Sequence, residues 1–266
     1  MAQLSIEPSE HVTYKLRYQD DHVLVVGKPP GVVTTPGKGH DYNSLLNGLF
    51  FTYGERLQKL GKTRDFGLLH RLDRGTSGLV LVALSVAAYD TLRSTFEQRS
   101  VSKYYWAVVK QAPKKVKGVI NRPILEFTGK VPNDPRPKKL GKIAASGKPA
   151  VTAYRVLAAS NSAALVECRA VTGRLHQIRV HMDSIGCPIL GDDFYAPAAM
   201  RDAAPRLALH AHRIVFKHPV TGAKVDVKSP WPADLRALLK RMSLPRPDEM
   251  PATAPELEVP EIDDEA

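Results

Sequence analysis

An uninterrupted apolar run at residues 79–84, LVLVAL, is the feature that most constrains how this chain can fold. Six consecutive residues without a polar side chain are typical of a buried strand. Ser85, which follows the run, has the character of a helix N-cap. Apolar residues at helical spacing then predict an amphipathic helix over 86–98. We therefore expect a buried strand with a helix directly after it.

Strand-like segments recur along the chain without a regular alternation of helices. A short helix is predicted over 175–185, and a last helix is predicted to begin at Pro232. Segments 111–118 and 132–142 are basic and interrupted by Pro or Gly, which predicts exposed loops. This order favours class α+β, a mixed sheet flanked by a few helices, over a doubly wound fold. The other predicted strands are 24–26, 103–109, 151–157, 163–170, 213–217 and 224–228.

Charge is unevenly distributed along the sequence. Residues 1–247 hold 38 Lys and Arg against 19 Asp and Glu, a formal charge of +19, whereas 248–266 hold eight acids and no Lys or Arg. We predict one domain over 1–247 and an acidic, disordered tail over 248–266. A strongly basic body favours nucleic acid as partner, although positive charge is also compatible with a role in solubility alone.

Cysteine usage and hydropathy indicate a compartment. The two cysteines, Cys168 and Cys187, fit neither a metal-binding spacing nor a secreted disulfide framework. No apolar run reaches the length of a membrane span, and the first residues lack the pattern of a signal peptide. We therefore expect a cytoplasmic protein without a membrane partner.

The segment RDFGLLHRLDRGTSGL at 64–79 contains two letter patterns that also occur in protein kinases. In a kinase the HRD loop precedes the DFG segment, whereas here DFG comes first. The His-Arg pair at 70–71 is followed by Leu72 rather than Asp, and Gly78 stands where a metal-binding Asn would be required. No glycine-rich loop of the kinase type precedes them. The kinase interpretation is therefore rejected, and 65–67 is predicted to be a turn.

Other standard active-site patterns are missing from the sequence. Neither GxGxxG nor GxxxxGK[ST] occurs. His176 and His181 are five residues apart, which turns them away from each other on a helix, and His210 and His212 lack a third ligand. Ser77 has no GxSxG elbow around it. We therefore predict neither a cofactor nor a metal.

Asp73 is the residue of the 64–79 segment whose side chain is best suited to catalysis. It precedes the buried strand in a polar, Gly-containing loop, between Arg71 and Arg74 and close to Thr76. Arginines near a carboxylate favour its ionised form. An ionised, partly desolvated aspartate can act as nucleophile or general base. A structural Asp–Arg pair that caps a turn fits the same spacing, so the residues alone leave both interpretations open.

Residues 70–79, HRLDRGTSGL, are similar to the HRLDxxTSGL signature of the RluA family of pseudouridine synthases. Residues 103–109 resemble its KxYxAxV strand, and 172–181 resemble its TGRxHQIRxH segment. Thr34 and Thr35 depart from the pattern, because many relatives have an aliphatic residue and a histidine there. In order along most of the chain, the other similar segments are YQDDHVLVVGKPPG at 18–31, PILGDDFY at 188–195 and LHAHRIVFKHPVTG at 209–222.

This resemblance implies both a fold and a reaction. The fold would be a bifurcated, mostly antiparallel mixed sheet, flanked by helices, with a central basic cleft. The reaction would detach uracil from C1′ of a uridine in structured ribosomal or transfer RNA and rejoin it through C5. The S4 RNA-binding domain of some members is not expected, because the catalytic pattern begins close to Met1. We also expect a monomer with no obligatory protein partner.

The resemblance also implies roles for individual residues. Asp73 would be the essential carboxylate, Arg179 would pair with it, and Tyr105 would stack on the target base. Without the resemblance, Tyr105 would be interpreted as a core residue. Arg71 would fill the space that the flipped-out base leaves, because a guanidinium can stack on bases and bind phosphates. Lesser RNA contacts are predicted for Arg74, Lys103, Arg174, His176 and Gln177, with basic residues of the 111–118 and 132–142 segments farther out.

Two other functions are compatible with a basic body. A binding-only relative that acts as an RNA chaperone could lack Asp73, Tyr105 or Arg179, but all three are present. A module that binds acidic proteins would not explain polar motifs within apolar surroundings. A pseudouridine synthase is therefore the favoured hypothesis.

Overall fold

The computed structural model describes residues 4–131, 134–250 and Leu257. Its strands are β1 (Lys15–Gln19), β2 (Val23–Lys28), β3 (Ser77–Ala83), β4 (Ser102–Val109), β5 (Lys117–Asn121), β6 (Ile124–Val131), β7 (Asp134–Ile143), β8 (Val151–Ala159), β9 (Ala164–Ala170), β10 (Leu209–Lys217) and β11 (Lys224–Lys228). Its helices are α1 (Leu45–Leu60), α2 (Val86–Glu97), α3 (Gln177–Ser184), α4 (Ala198–Arg201) and α5 (Arg236–Arg241). Among the described residues, none of these helices is long and apolar enough to cross a membrane.

The chain divides into two compact units. The first comprises Met1–Ser102 and Ala211–Ser229, and the second comprises Lys103–His210 and Pro230–Ala266. Each unit is thus formed from two stretches of the sequence. The α+β class predicted from the order of strands and helices is confirmed.

In the first unit, the strand predicted from the apolar run is β3, and every residue of it is buried. Antiparallel pairing joins β1 to β2 and β2 to β3, while β10 lies on the other side of β3 and pairs with β11. The predicted helix after Ser85 is α2, and the Ser85 hydroxyl accepts a hydrogen bond from the Ala88 amide as an N-cap. This helix covers β3 with Ala88, Tyr89 and Leu92. Burial on both faces explains why β3 contains no charged residue.

Helix α1 is the largest element that the sequence interpretation missed. It begins with a capping box in which the Ser44 hydroxyl accepts from the Asn47 amide and the Asn47 side chain accepts from the Ser44 amide. The preceding N-terminal segment crosses this helix closely. A Cβ atom on Gly48 would lie 2.3 Å from the carbonyl oxygen of Val12, so only glycine permits this approach.

Residues 65–67, predicted to be a turn, end a short 3-10 helix (Lys62–Gly67), and their backbone is left-handed. Asp65, Phe66 and Gly67 have φ values of 47°, 50° and 90°. The Phe66 ring is buried and packs edge-to-face on Phe50, with 5.4 Å between ring centroids. The chain then pairs with β3, where the Leu69 amide donates to the Leu81 carbonyl. The turn therefore delivers the next residues to the edge of a buried strand.

The second unit contains a four-stranded antiparallel sheet with the order β4-β9-β8-β5. Strands β4, β8 and β9 lie where the sequence predicts them. The predicted short helix is α3, which begins two residues later than the apolar spacing indicates. Gly186 follows it with a φ of 76°, as expected for a residue that ends a helix.

The prediction of exposed loops at 111–118 and 132–142 is wrong in part. The end of the first segment belongs to β5, and most of the second is β7, which pairs with β6 in a separate two-stranded sheet. Both strands of such a hairpin have a solvent-facing edge, so Lys and Pro are tolerated there. Residues 132–133 lie outside the described residues.

The predicted acidic tail is described only in part. Residues 248–250 follow Arg246, whose guanidinium pairs with the carboxylates of Asp248 and Glu249. Leu257 is buried, and its carbonyl accepts a hydrogen bond of 2.8 Å from Arg169. The prediction of disorder concerns the remaining tail residues, which lie outside the described part of the chain.

Candidate active site

Asp73 lies half-buried in the loop before β3, and its neighbours are held through their backbone. The carbonyl of Arg74 accepts from the Gly31 amide at 2.8 Å and from Lys28 Nζ at 3.4 Å. The carbonyl of Asp73 accepts from the Thr76 amide at 3.1 Å. These bonds fix the loop through its backbone, independently of its side-chain conformations. They therefore hold the Asp73 carboxylate at a defined position before β3.

Lys28 ends β2 directly before Pro29-Pro30-Gly31, which we call the Lys-Pro loop. It is 1% exposed, and backbone carbonyls surround its ammonium group. Its Nζ donates to Val32 at 2.6 Å and to Pro29 at 2.9 Å, besides its bond to Arg74. A buried ammonium is costly unless its donors are satisfied, and three carbonyls match its three donors. Lys28 therefore ties two loops together.

Gly78 of the HRLDRGTSGL motif is required by a close approach between β3 and β10. Its φ is 117°, and a Cβ atom there would lie 2.2 Å from the carbonyl oxygen of Ala211 on β10. A side chain would push β10 away from the start of β3. The glycine in HRLDRGTSGL thus has a packing reason that is independent of any chemistry.

His70 and the two arginines of the motif differ in exposure. His70 Nε2 accepts from the Leu81 amide at 3.1 Å, and its ring stacks on Phe96 with 5.5 Å between centroids. An accepting Nε2 belongs to a neutral imidazole, so His70 has a structural role and connects the motif to β3 and α2. Arg71 and Arg74 are exposed. Arg74 Nε donates to the Gly31 carbonyl at 3.0 Å, which holds that side chain along the Lys-Pro loop.

In the second unit, Lys103 and Tyr105 share one face of β4, because alternate residues of a strand point the same way. Tyr105 is 8% exposed, whereas Lys103 is half-buried. Lys103 Nζ lies 3.9 Å from the position that a Cβ on Gly173 would take, so it lies against the loop before α3. Burial lowers the pKa of Lys103 to about 8. Its charge is therefore sensitive to mild alkali.

Arg179 on α3 is 6% exposed, and a carboxylate that the sequence interpretation did not single out holds its guanidinium. Arg179 Nε donates to Asp192 Oδ2 at 2.8 Å, and Nη2 donates to Oδ1 at 2.7 Å. The guanidinium carbon also lies 4.8 Å and 5.2 Å from the ring centroids of Phe194 and Tyr195. A bidentate pair with two aromatic neighbours fixes this guanidinium in one orientation.

Asp192 is 1% exposed and remains ionised at neutral pH. Burial alone would raise its pKa. The hydrogen bonds and charge of Arg179, together with the amides of Phe194 and Tyr195, outweigh burial and bring the pKa below the ordinary value of 3.8. Asp192 lies in the PILGDDFY segment, whose similarity to the family pattern was the only signal in the sequence that pointed toward it.

His176 begins α3 in a left-handed conformation, with a φ of 53°. Its Nδ1 shares a hydrogen bond of 2.8 Å with the Tyr195 hydroxyl, which also accepts from the Gly141 amide at 2.9 Å. The ring contacts Phe194 as well, with 5.4 Å between centroids. His176 therefore joins α3 to β7 through Tyr195.

Gln177 and Arg174 are engaged by the protein itself. Gln177 is 5% exposed, and its Nε2 donates to the Val151 carbonyl and the Thr152 hydroxyl. Its Oε1 accepts from the Thr172 hydroxyl and the Arg174 amide. These four bonds favour a structural role for Gln177 over the predicted RNA contact. Arg174 Nε donates to the Pro149 carbonyl at 2.9 Å, with its guanidinium partly exposed.

The predicted site residues thus fall into two local groups. Arg71, Asp73 and Arg74 share the loop before β3. The other predicted residues lie on β4 and around the start of α3. The pairing predicted between Asp73 and Arg179 stays a prediction. No group of three or more His, Cys, Asp or Glu side chains among the described residues is arranged to hold a metal ion.

Comparison with known proteins agrees with this reading of the motifs. The family described as RNA pseudouridylate synthase matches residues 22–184. "Ribosomal large subunit pseudouridine synthase D" of Zymomonas mobilis is 35% identical over 245 residues, which cover 90% of this chain and 75% of that protein. "Dual-specificity RNA pseudouridine synthase RluA" of Escherichia coli K12 is 36% identical over 233 residues, covering 86% and 99% respectively.

Solved structures show the same likeness. "Human RNA Pseudouridylate Synthase Domain Containing 4" has a TM-score of 0.65 and 26% identity, covering 88% of this chain and 94% of that one. The fold and the ordered motifs therefore define an RNA pseudouridine synthase, an enzyme that isomerises uridine to pseudouridine. Within that class, the chain belongs to the RluA family.

Proposed function

We propose that this enzyme forms pseudouridine at one or more uridines of ribosomal or transfer RNA, with Asp73 as the essential carboxylate. The observation that carries the proposal is the backbone-anchored Asp73 loop within HRLDRGTSGL. The names of the relatives support the choice of RNA, because one refers to the large ribosomal subunit and another to dual specificity. Cytoplasmic location and a monomeric state remain predictions.

The reaction is a redox-neutral isomerisation. The C1′–N1 bond of the uridine breaks, the uracil rotates, and a C1′–C5 bond forms. The proton on C5 is lost and N1 gains one, so the product has the same atoms as the substrate. Asp73 has three possible roles: attack on the ribose, attack on the uracil, or removal of a ribose proton. Each role requires an ionised carboxylate beside the nucleotide.

The proposed roles of Arg179 and Tyr105 follow from the resemblance and are supported by their environments. Arg179 would orient the catalytic carboxylate and keep it ionised. Because Asp192 and the rings of Phe194 and Tyr195 already fix the guanidinium, Arg179 is suited to a positioning task. Tyr105 would stack on the uracil after the nucleotide is flipped out of its helix.

A further set of basic residues is proposed to bind the RNA backbone. Arg71 is exposed beside Asp73 and would occupy the space that the flipped base leaves. The β6–β7 hairpin contributes exposed positive charge, since its residues Arg136 and Lys139 face solvent. Contacts of this kind release counterions, so RNA affinity should fall steeply with salt concentration.

RNA affinity is also expected to fall between pH 7 and pH 9 through Lys103. A lysine whose pKa is lowered to about 8 is charged below that pH and neutral above it, so a phosphate contact is lost as the pH rises. Lys103→Met should weaken binding at pH 7 by about 3- to 10-fold and flatten the pH dependence. Lys103→Arg is the matched control, because it stays charged to pH 9 and should bind well throughout. Dissociation constants at constant ionic strength check this, and an unchanged pH dependence in Lys103→Met would contradict it.

The substrate is tested by mapping pseudouridines in total RNA from cells with and without the gene. We expect discrete positions in ribosomal or transfer RNA to lose the modification in the deletion strain. Expression of the wild-type chain should restore them. An unchanged map in both RNA classes would contradict the proposed substrate.

A further inference from the structure

The Thr34 hydroxyl holds both backbone groups of the residue that precedes Asp73. Thr34 is 4% exposed, and its Oγ1 donates to the Leu72 carbonyl at 2.8 Å. The same oxygen accepts from the Leu72 amide at 3.1 Å. One side chain therefore satisfies the donor and the acceptor of one buried residue, as a neighbouring strand would do.

Thr34 is itself anchored to the start of α1. The carbonyl of Thr34 accepts from the Leu46 amide at 3.1 Å, and the carbonyl of Val33 accepts from the Leu45 amide at 2.8 Å. Leu45 and Leu46 are in the first turn of the helix and are buried. The hydroxyl thus connects a rigid helix terminus to the peptide units beside Asp73.

We propose that Thr34 is a positioning residue for pseudouridine formation, because its hydroxyl fixes Leu72 and so sets where Asp73 stands. The inference rests on the proposed catalytic role of Asp73. Lys28 and Gly31 hold the residue after Asp73, and Thr34 holds the residue before it. Removal of the hydroxyl keeps the anchors after Asp73 and removes the one directly before it.

This role belongs to the hydroxyl and not to the shape of the side chain. Valine has nearly the shape of threonine but can neither donate nor accept, whereas serine keeps both capacities. A displacement of a reacting group by about 1 Å can lower a rate about 10²-fold.

The test compares Thr34→Val and Thr34→Ser in single-turnover and steady-state assays on the RNA that the wild-type enzyme modifies. We expect Thr34→Val to lower kcat about 10²-fold with KM for RNA nearly unchanged. Thr34→Ser should stay within about fivefold of the wild type, since the hydroxyl remains although χ1 is less restricted. If Thr34→Val does not fold, Thr34→Ala removes the same hydroxyl and serves in its place.

Ser85→Ala separates positioning from stability. It removes the N-cap of α2 and lowers the melting temperature without touching Leu72, so its kcat should equal that of the wild type. Wild-type kcat in Thr34→Val, or an equal loss of kcat in Ser85→Ala at matched melting temperature, would overturn the positioning role. A wild-type enzyme that is inactive on every RNA would instead overturn the proposed function, so the two failures are distinguishable.

Discussion

Asp73→Asn is expected to abolish pseudouridine formation, with a fall of about 10⁴-fold or more in the single-turnover rate. The amide has the shape of the carboxylate but cannot be ionised, so it can neither attack carbon nor accept a proton in the reaction. The backbone hydrogen bonds of Asp73 and of Arg74 do not involve the carboxylate, so the substitution leaves them in place. RNA affinity and melting temperature should therefore change little.

Asp90→Asn provides a matched control for this substitution. Asp90 is an exposed carboxylate of the same unit that pairs with Arg64 at 2.9 Å. The loss of an exposed ion pair has little effect on stability, and this one should not affect the rate. An Asp73→Asn enzyme that retained a rate comparable to that of Asp90→Asn would contradict the assigned role of Asp73.

Arg179→Ala is expected to lose activity and to be destabilised by about 3–5 kcal/mol at neutral pH. The substitution leaves the Asp192 carboxylate buried without its guanidinium partner. In the wild type the pKa of Asp192 is below its ordinary value, so this residue contributes stability that is lost only as the pH falls through its folded pKa. Without Arg179, burial would raise the pKa of Asp192. The free energy of unfolding of the variant should therefore decrease as the pH rises above the pKa that Asp192 has in the unfolded chain. Chemical denaturation at pH 5 and at pH 8 measures this decrease.

The double variant Arg179→Ala with Asp192→Asn separates the loss of stability from the loss of activity that Arg179→Ala causes. It removes the uncompensated charge, so much of the stability should return, and the pH dependence of stability should weaken. Activity should not return, because the proposed role of Arg179 is toward the catalytic carboxylate. Recovery of activity together with stability would show that Arg179 serves only as the structural partner of Asp192.

Much of the fold follows from local sequence signals. The apolar run that became β3, the Ser85 cap of α2 and the Gly186 end of α3 each have a physical cause within a few residues. Helix α1 was missed although Ser44 begins it, because its capping box uses Asn47 where glutamate or glutamine is the usual signal. The β6–β7 hairpin was missed because its prolines and lysines are typical of loops, and only the two exposed edges of the hairpin permit them.

The sequence predicted those parts of the candidate site that consist of recognisable side-chain motifs. The pattern around Asp73 and the strand of Tyr105 were identified from residue types in order. Asp192 was not assigned a role, because the contact that matters is a long-range pair with Arg179. Likewise, Lys28 and Thr34 act on backbone carbonyls and amides, which carry no residue-specific pattern in the sequence.

The most direct test of the account measures tritium release from RNA that carries tritium at C5 of uridine. Formation of the C1′–C5 bond must expel that hydrogen, so the purified wild-type enzyme should release tritium in proportion to the pseudouridine found after nuclease digestion. Asp73→Asn should bind the same RNA and release none. Equal release by both proteins would contradict the assignment of Asp73. No release by the wild type from any ribosomal or transfer RNA would contradict the proposed activity itself.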